Sequence, residues 1–395
     1  MIIKRKGILF ILLLLTTGGY MIYHAASKKK YSSFTEWYKV TQDKKMQNDL
    51  KEDQEVYHRE IFSSVMPVDK IYRSMQGPFK VETFDIPERN IHRLFKKADL
   101  LWLTGYAVEM VAEDSTKIPD EFMCHNNLSI DDAVSSPWHI KTQGTDIRLF
   151  TLTEGQTKIK FPGGFGIPVL SNQDITVSSQ VLNHNILNAD FNARHKVTID
   201  YVKEEKNKQE FIPLFQQAVF VTKLISGPEG QYGERPNTLA KVLNCFTDPL
   251  MADNSHDCSV EYTNKEHYNP YEDIYGRKYT GHWTIKPDKE ILKTNVTAML
   301  DLPYNTKVHY IAVHLHPFAE ALELKDITAN QVIFKAYSEN YTDKIGLHHI
   351  GHFSSTGGIL LHKNHQYELT STYNNTSTEE HTAMATMFLY LHDKE

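Results

Sequence analysis

Cysteine is nearly absent: Cys124, Cys245 and Cys258 are the only three in 395 residues. At most one intrachain disulfide can form, and one thiol is left over. The Walker-type phosphate loop, the H-E-x-x-H zinc helix and the G-x-S-x-G nucleophile elbow are all missing, which removes three large enzyme classes. No calcium-loop spacing of acidic residues occurs, "NADFNARH" being too sparse. Internal repeats and long low-complexity tracts are also lacking. A basic surface is excluded as well. The first thirty residues hold six Lys/Arg and no acid, so the remainder carries 37 basic against 49 acidic residues. A body with a net charge of −12 and no basic stripe is a poor partner for nucleic acid.

What is present begins with "MIIKRKGILFILLLLTTGGYMIYHAASKKK". A basic n-region precedes an apolar stretch from about Ile8 to Tyr23, and Ala25-Ala26-Ser27 offers a small-x-small cleavage site. This reads as an export signal or, uncleaved, as a membrane anchor, over residues 1–27. The body is then expected in the periplasm, secreted, or tethered outside the cytoplasm, where disulfides persist. Cys245 and Cys258 close a short loop-like segment and are expected to pair. Residues 28–65 are polar and helix-compatible, and read as a stalk or peripheral helix. Beyond them, short β-rich runs alternate with turn signals, among them "DIRLFTL", "RHKVTIDYV", "NVTAMLDL", "KVHYIAVHLH", "QYELTSTY" and "MATMFLYL". The expected fold is all-β: two antiparallel, jelly-roll-like β-sandwiches, residues 66–228 and 229–395, divided at the Gly/Pro-rich "ISGPEGQYGERP".

Chemistry concentrates in "VHYIAVHLHPFAEALEL". On a strand, His314 and His316 share one face with Cα atoms roughly 6.5 Å apart, close enough to converge on one ion, while His309 falls in the opposite register. Near the C-terminus, Met384, Thr386, Phe388 and Tyr390 share a strand face. A thioether with two imidazoles is a soft donor set that favours copper over zinc, calcium or magnesium. The "GLHHIGHFSS" cluster, His348, His349 and His352, reads as a solvated loop. His256 and His282 read as packed or hydrogen-bonded.

The segment from "GHWTIKPDKEILKTNVTAMLDLP" through "HLHPFAEALELKDITANQVIFKAY" to "AMATMFLYLH" resembles the C-terminal domain of the copper type II, ascorbate-dependent monooxygenases. That family includes peptidylglycine α-hydroxylating and dopamine β-monooxygenases. The resemblance implies that His314, His316 and Met384 are catalytic and hold an oxygen-activating copper. It also implies a second, electron-supplying copper in the first domain. There the family has an adjacent His-His pair, whereas "PDEFMCHNNLSID" has Cys124-His125. The third imidazole falls nearest to His184, with His195 on the next strand as the other choice. Cys124 is then either a soft thiolate ligand or a buried side chain.

The function implied is hydroxylation of a C–H bond of an unknown small-molecule or peptide substrate, using O2, one or two copper ions and a reductant such as ascorbate. A non-catalytic copper-binding protein is the rival, and a purely structural β-sandwich a third reading.

Overall fold

A computed structural model describes residues 55–69, 71, 99–130, 147–171, 173, 175–207, 210–225, 270–273 and 277–392. The expected export segment, the part of the stalk before residue 55, His256 and the Cys245–Cys258 pair lie outside the described residues, as does most of the Gly/Pro-rich boundary. Among the described residues no helix is long and apolar enough to cross a membrane.

The chain is all-β, as expected. In the first half the strands are β1 (Tyr57–Phe62), β2 (Met66–Val68), β3 (Leu100–Ala112), β4 (Met123–Ile130), β5 (Ile147–Thr153), β6 (Lys158–Lys160), β7 (Phe165–Leu170), β8 (Ile175–Val181) and β9 (Phe191–Lys203). Sheet β1-β9-β3-β7 faces the three-stranded sheet β5-β4-β8. Tyr106 of β3 stacks on Phe150 of β5 at 5.2 Å in the core between them.

The second half begins with β10 (Ile212–Phe220), β11 (Lys223–Leu224), β12 (Tyr279–Thr280), β13 (His282–Ile285) and β14 (Asp288–Asn295). One helical turn, α1 (Thr297–Leu300), precedes β15 (Thr306–Leu315), β16 (Ala319–Asp326), β17 (Gln331–Asn340), β18 (Leu347–Ile350), β19 (Phe353–Leu361), β20 (Tyr367–Asn375) and β21 (His381–His392). Strands β10-β21-β15-β19, with β13 beside β21, form one layer, and β14-β20-β16-β17-β18 the other.

Three local readings are corrected. Residues 57–62 are not helical stalk: β1 pairs antiparallel with β9, Tyr57 opposite Tyr201 through Phe62 opposite Lys196. Its burial alternates residue by residue, which is the period of a strand. "NVTAMLDL" is not a strand but holds α1. The Asn295 side chain accepts the Thr297 N–H at 3.0 Å to start the turn, Ala, Met and Leu favour it, and Asp301 ends it at φ 39°. "LHHI" is strand β18 rather than loop, held to β17 by Ser338–Ile350 and Glu339–His349 pairing.

β10 lies upstream of the expected boundary, yet seven of its residues pair with β21 and only two with β7. It therefore serves chiefly the second half while touching the first. The halves pack face to face along an aromatic seam. Phe161 lies 4.9 Å from Tyr390 and 5.7 Å from Tyr310, and Phe165 lies 4.2 Å from His309. Burying such rings removes large apolar areas from water.

Polar contacts then fix its register. β15 loses its β19 partner after Ile311, and the buried Val313 N–H is taken up by Gln156 Oε1 of the first half at 2.8 Å. The Ile350 N–H reaches the Gly155 carbonyl at 2.9 Å. Asn185 both donates to the Ile345 carbonyl and accepts its N–H, each at 2.9 Å. Lys344 pairs with Glu121. Gly155 is required here: its φ is +80°, and a Cβ would come within 3.0 Å of Ile350.

Candidate metal centre

The joint gathers the histidines. β21 supplies the base, because its even-numbered residues face the first half. Thr386 is the cross-strand partner of His314, and Met384 is the partner of His282 on the opposite neighbour, β13. His316 follows the last β15–β21 pair, Leu315–Ala385, and so continues toward Met384.

No ladder bond fixes that last step. The Tyr373 hydroxyl, reaching from β20, accepts the His316 N–H at 3.2 Å and donates to the Met384 carbonyl at 2.5 Å. One buried phenol thus ties the residue after β15 to β21.

The imidazoles form a chain of edge-to-face contacts. Ring centroids are 5.2 Å apart for His282–His316, 5.2 Å for His314–His316 and 6.1 Å for His125–His314. The last contact crosses the joint. His314, His316 and His125 are buried, and that burial holds each well below the usual imidazole value. Neighbouring charges reinforce the effect: Arg148 acts on His125, His125 on His314, and His282 on His316. These rings are neutral at pH 7, the form in which imidazole ligates metal.

Their hydrogen bonds differ in an informative way. His316 Nδ1 lies 3.2 Å from the Thr382 carbonyl, so Nδ1 carries the proton and the Nε2 lone pair is left for another partner. His314 has neither ring nitrogen bonded, and the Thr386 hydroxyl beside it is buried without a partner too. An unsatisfied buried polar group costs about 1–3 kcal/mol. Such a cluster fits a bound ion or water better than plain packing. Met384, 3% exposed, is the soft donor in the same strand face.

The sequence-derived candidates divide accordingly. His314 and His316 lie side by side, with ring centroids 5.2 Å apart, and Met384 sits on β21 opposite His282, next to the register position that His316 continues. His125 joins them from β4, which the sequence placed in a separate site. Cys124 does not point to the opposite face of its strand. The β4–β8 register shifts between Met123 and His125, making Cys124 the extra residue of a bulge. Its Sγ sits 2.9 Å from His125 Nδ1 and 3.6 Å from Gln180 Oε1. Cys124 therefore orients the His125 ring. Among the described residues no three His, Cys, Asp or Glu side chains are gathered as a metal-binding group. The candidate donors are imidazole pairs plus a thioether.

The imidazole in edge-to-face contact with His125 is His314, and His184 has other neighbours. His184 lies in the turn after β8, half-buried, its value lowered to about 4 by desolvation and by the neighbouring His381. His316 feels its charge as well. His195 belongs to the first half's core, where Asn126 Nδ2 lies 3.0 Å from its Nδ1, and Asn126 is itself bonded to Ser179 and Tyr106. Desolvation lowers His195 to about 3.

Two participants escaped the sequence reading, His282 and Tyr373. His282 is 32 residues from His314, and no spacing rule links them. Its position opposite Met384 is visible only in the β13–β21 register.

No family model matches the chain, and no curated protein matches it. Among solved structures, a peptide-N(4)-(N-acetyl-β-D-glucosaminyl)asparagine amidase is similar at 9% identity and TM-score 0.33, covering 85% of this chain and 97% of that one. A recombinant peptide:N-glycanase F is similar at 12% identity and TM-score 0.33, covering 85% and 96%. Neither likeness bears on the site's chemistry. The resemblance to copper monooxygenases rests on the sequence segments quoted above and gains nothing from these comparisons.

Proposed function

We propose that the joint is a copper site and that the chain is a copper-dependent monooxygenase-like protein acting outside the cytoplasm. The observation that carries this reading is His314: a buried imidazole with both nitrogens unsatisfied, between the neutral imidazoles of His316 and His125. The donor set is drawn from His125, His282, His314, His316 and Met384. Nitrogen and thioether sulfur suit Cu(I) and discriminate against the hard cations. Bound copper would supply activation of O2 for oxygen insertion into a C–H bond, with electrons from a reductant such as ascorbate.

The chain's own residues contribute three things. Burial keeps the rings deprotonated, so metal binding displaces no proton from them at neutral pH. Thr382 and Tyr373 hold His316 in one tautomer and position. The aromatic seam packs the two halves against each other.

One observation favours the rival, a non-catalytic copper-binding protein. Cys124 stands where the family resemblance calls for an imidazole, and its sulfur turns toward His125. Copper analysis of the purified full-length chain, coupled to ascorbate-driven O2 consumption, separates the readings. Two coppers with O2 uptake support the monooxygenase, and one copper without uptake supports the binder. A chain that retains no copper refutes both.

A further inference from the structure

We infer that His282 is a ligand of the thioether-containing focus, so that this focus is His282, His316 and Met384, while His314 pairs with His125 across the joint. The inference rests on the copper reading above and changes its ligand assignment.

The argument starts from register. His282 and Met384 are direct cross-strand partners, and such residues project to the same face with Cβ atoms about 4.5–5.5 Å apart. On the other side of β21 the register runs through Leu315–Ala385, and His316 comes next. Met384 is therefore flanked by an imidazole on each side. Those two rings meet above it with centroids 5.2 Å apart and planes at 87°. Metal–nitrogen bonds of about 2 Å place two imidazoles on one tetrahedral ion with centroids about 5 Å apart, so the observed spacing fits. The three donors come from β13, β21 and the residue after β15, each held by backbone pairing or by Tyr373. A site built on strands is more exactly placed than one on loops.

His314 has a different neighbourhood. Its cross-strand partner is Thr386, one strand repeat further from Met384 than His316 is. Across the joint it faces His125, whose Nδ1 side is occupied by Cys124 Sγ. His125 can then offer only its other nitrogen, and that ring lies against His314. His314 lies 5.2 Å from His316 and 6.1 Å from His125, so ring spacing alone does not divide the four imidazoles; the strand register beside Met384 is what assigns His316 with His282 and leaves His314 to His125.

The test is Cu(I) binding by the full-length chain, measured by chelator competition and by X-ray absorption of the loaded protein, which counts sulfur and imidazole scatterers. His282→Leu is expected to weaken binding at the sulfur-containing focus at least tenfold. His282→Gln keeps a polar side chain of similar reach and guards against a folding defect, checked by thermal melting; it should show the same loss. His314→Leu and His125→Leu should each leave the copper–sulfur signal intact and remove copper only from the other focus. Unchanged Cu(I) affinity in both His282 variants, or loss of the copper–sulfur signal in His314→Leu, overturns the assignment while leaving a copper site at the joint. No copper in the parent protein overturns this assignment and the functional reading together.

Discussion

Strand β15 carries a buried histidine toward each end of the joint, and the two are treated oppositely. His309 lies at a bulge, stacks on Phe165 at 4.2 Å and places Nδ1 3.0 Å from the Ser355 carbonyl. Gly358 leaves it room, since a Cβ there would sit 2.8 Å from the His309 ring. His314, on the same strand, is as buried but has no bonded nitrogen, and its ring contacts are other imidazoles. The first arrangement is what a structural histidine needs: ring contact, one hydrogen bond, a fixed tautomer. The second is unfavourable unless something else enters, and nearby donors of matching softness indicate what that is. One end of β15 closes the joint, and the other end carries the proposed site.

The largest effect expected from this comparison is on stability in acid. His309 titrates at about 4 and His195 at about 3, both lowered mainly by desolvation, against about 6.5 in an unfolded chain. As pH falls the unfolded chain takes up these protons first. Stability is therefore full above about 6.5 and declines as pH drops through 4 toward 3, by on the order of a few kcal/mol in total. Urea midpoints of the copper-free chain between pH 7.5 and 4 measure this. A flat profile down to about pH 4 would show that these rings are solvated.

Next comes the thioether. Met384→Ile conserves volume and apolarity and should cost under about 1.5 kcal/mol of stability. Cu(I) affinity should nonetheless fall by more than about 100-fold, beyond what outer-shell changes cause, while Cu(II) binding changes less. Met387, in the opposite register and fully buried in the second half's core, is the control. If Met387→Ile loses Cu(I) instead, the face has been misassigned.

Gln156→Ala leaves the Val313 N–H unpaired in the joint, a loss of about 1–3 kcal/mol in thermal or urea unfolding. It should also weaken the His125–His314 approach, lowering copper occupancy there before it affects the Met384 focus. Smallest is Tyr373→Phe, which removes the hydroxyl between His316 and Met384. About a tenfold loss of Cu(I) affinity, with folding retained, marks Tyr373 as a positioning residue; unchanged affinity shows that the ladder alone sets the geometry.

How much of this was legible in the sequence follows from the range of each interaction. Alternation along a strand is local, so the shared faces of His314 with His316 and of Met384 with Thr386 could be read directly. A bulge is local too, but nothing in "FMCHNN" announces that Cys124 is the extra residue, and its sulfur turns toward His125 instead of away. The weak helical reading of "YHREIF" failed because pairing with β9 decides its conformation. His282 opposite Met384, and His125 against His314, depend on strand pairing and docking over long sequence separations. Periodicity carries no information at that distance. The family resemblance proposed the Met384 adjacency but also placed His125 with His184, whereas the ring in edge-to-face contact with His125 is His314.

The central claim is that a soft copper site lies in the joint, with Met384 as a direct ligand. X-ray absorption of the Cu(I)-loaded full-length chain tests it most directly. The account predicts a sulfur scatterer together with imidazole nitrogens, the sulfur vanishing in Met384→Ile and persisting in Met387→Ile. A copper shell of nitrogen and oxygen alone in the parent, or a sulfur signal that survives Met384→Ile, would contradict it.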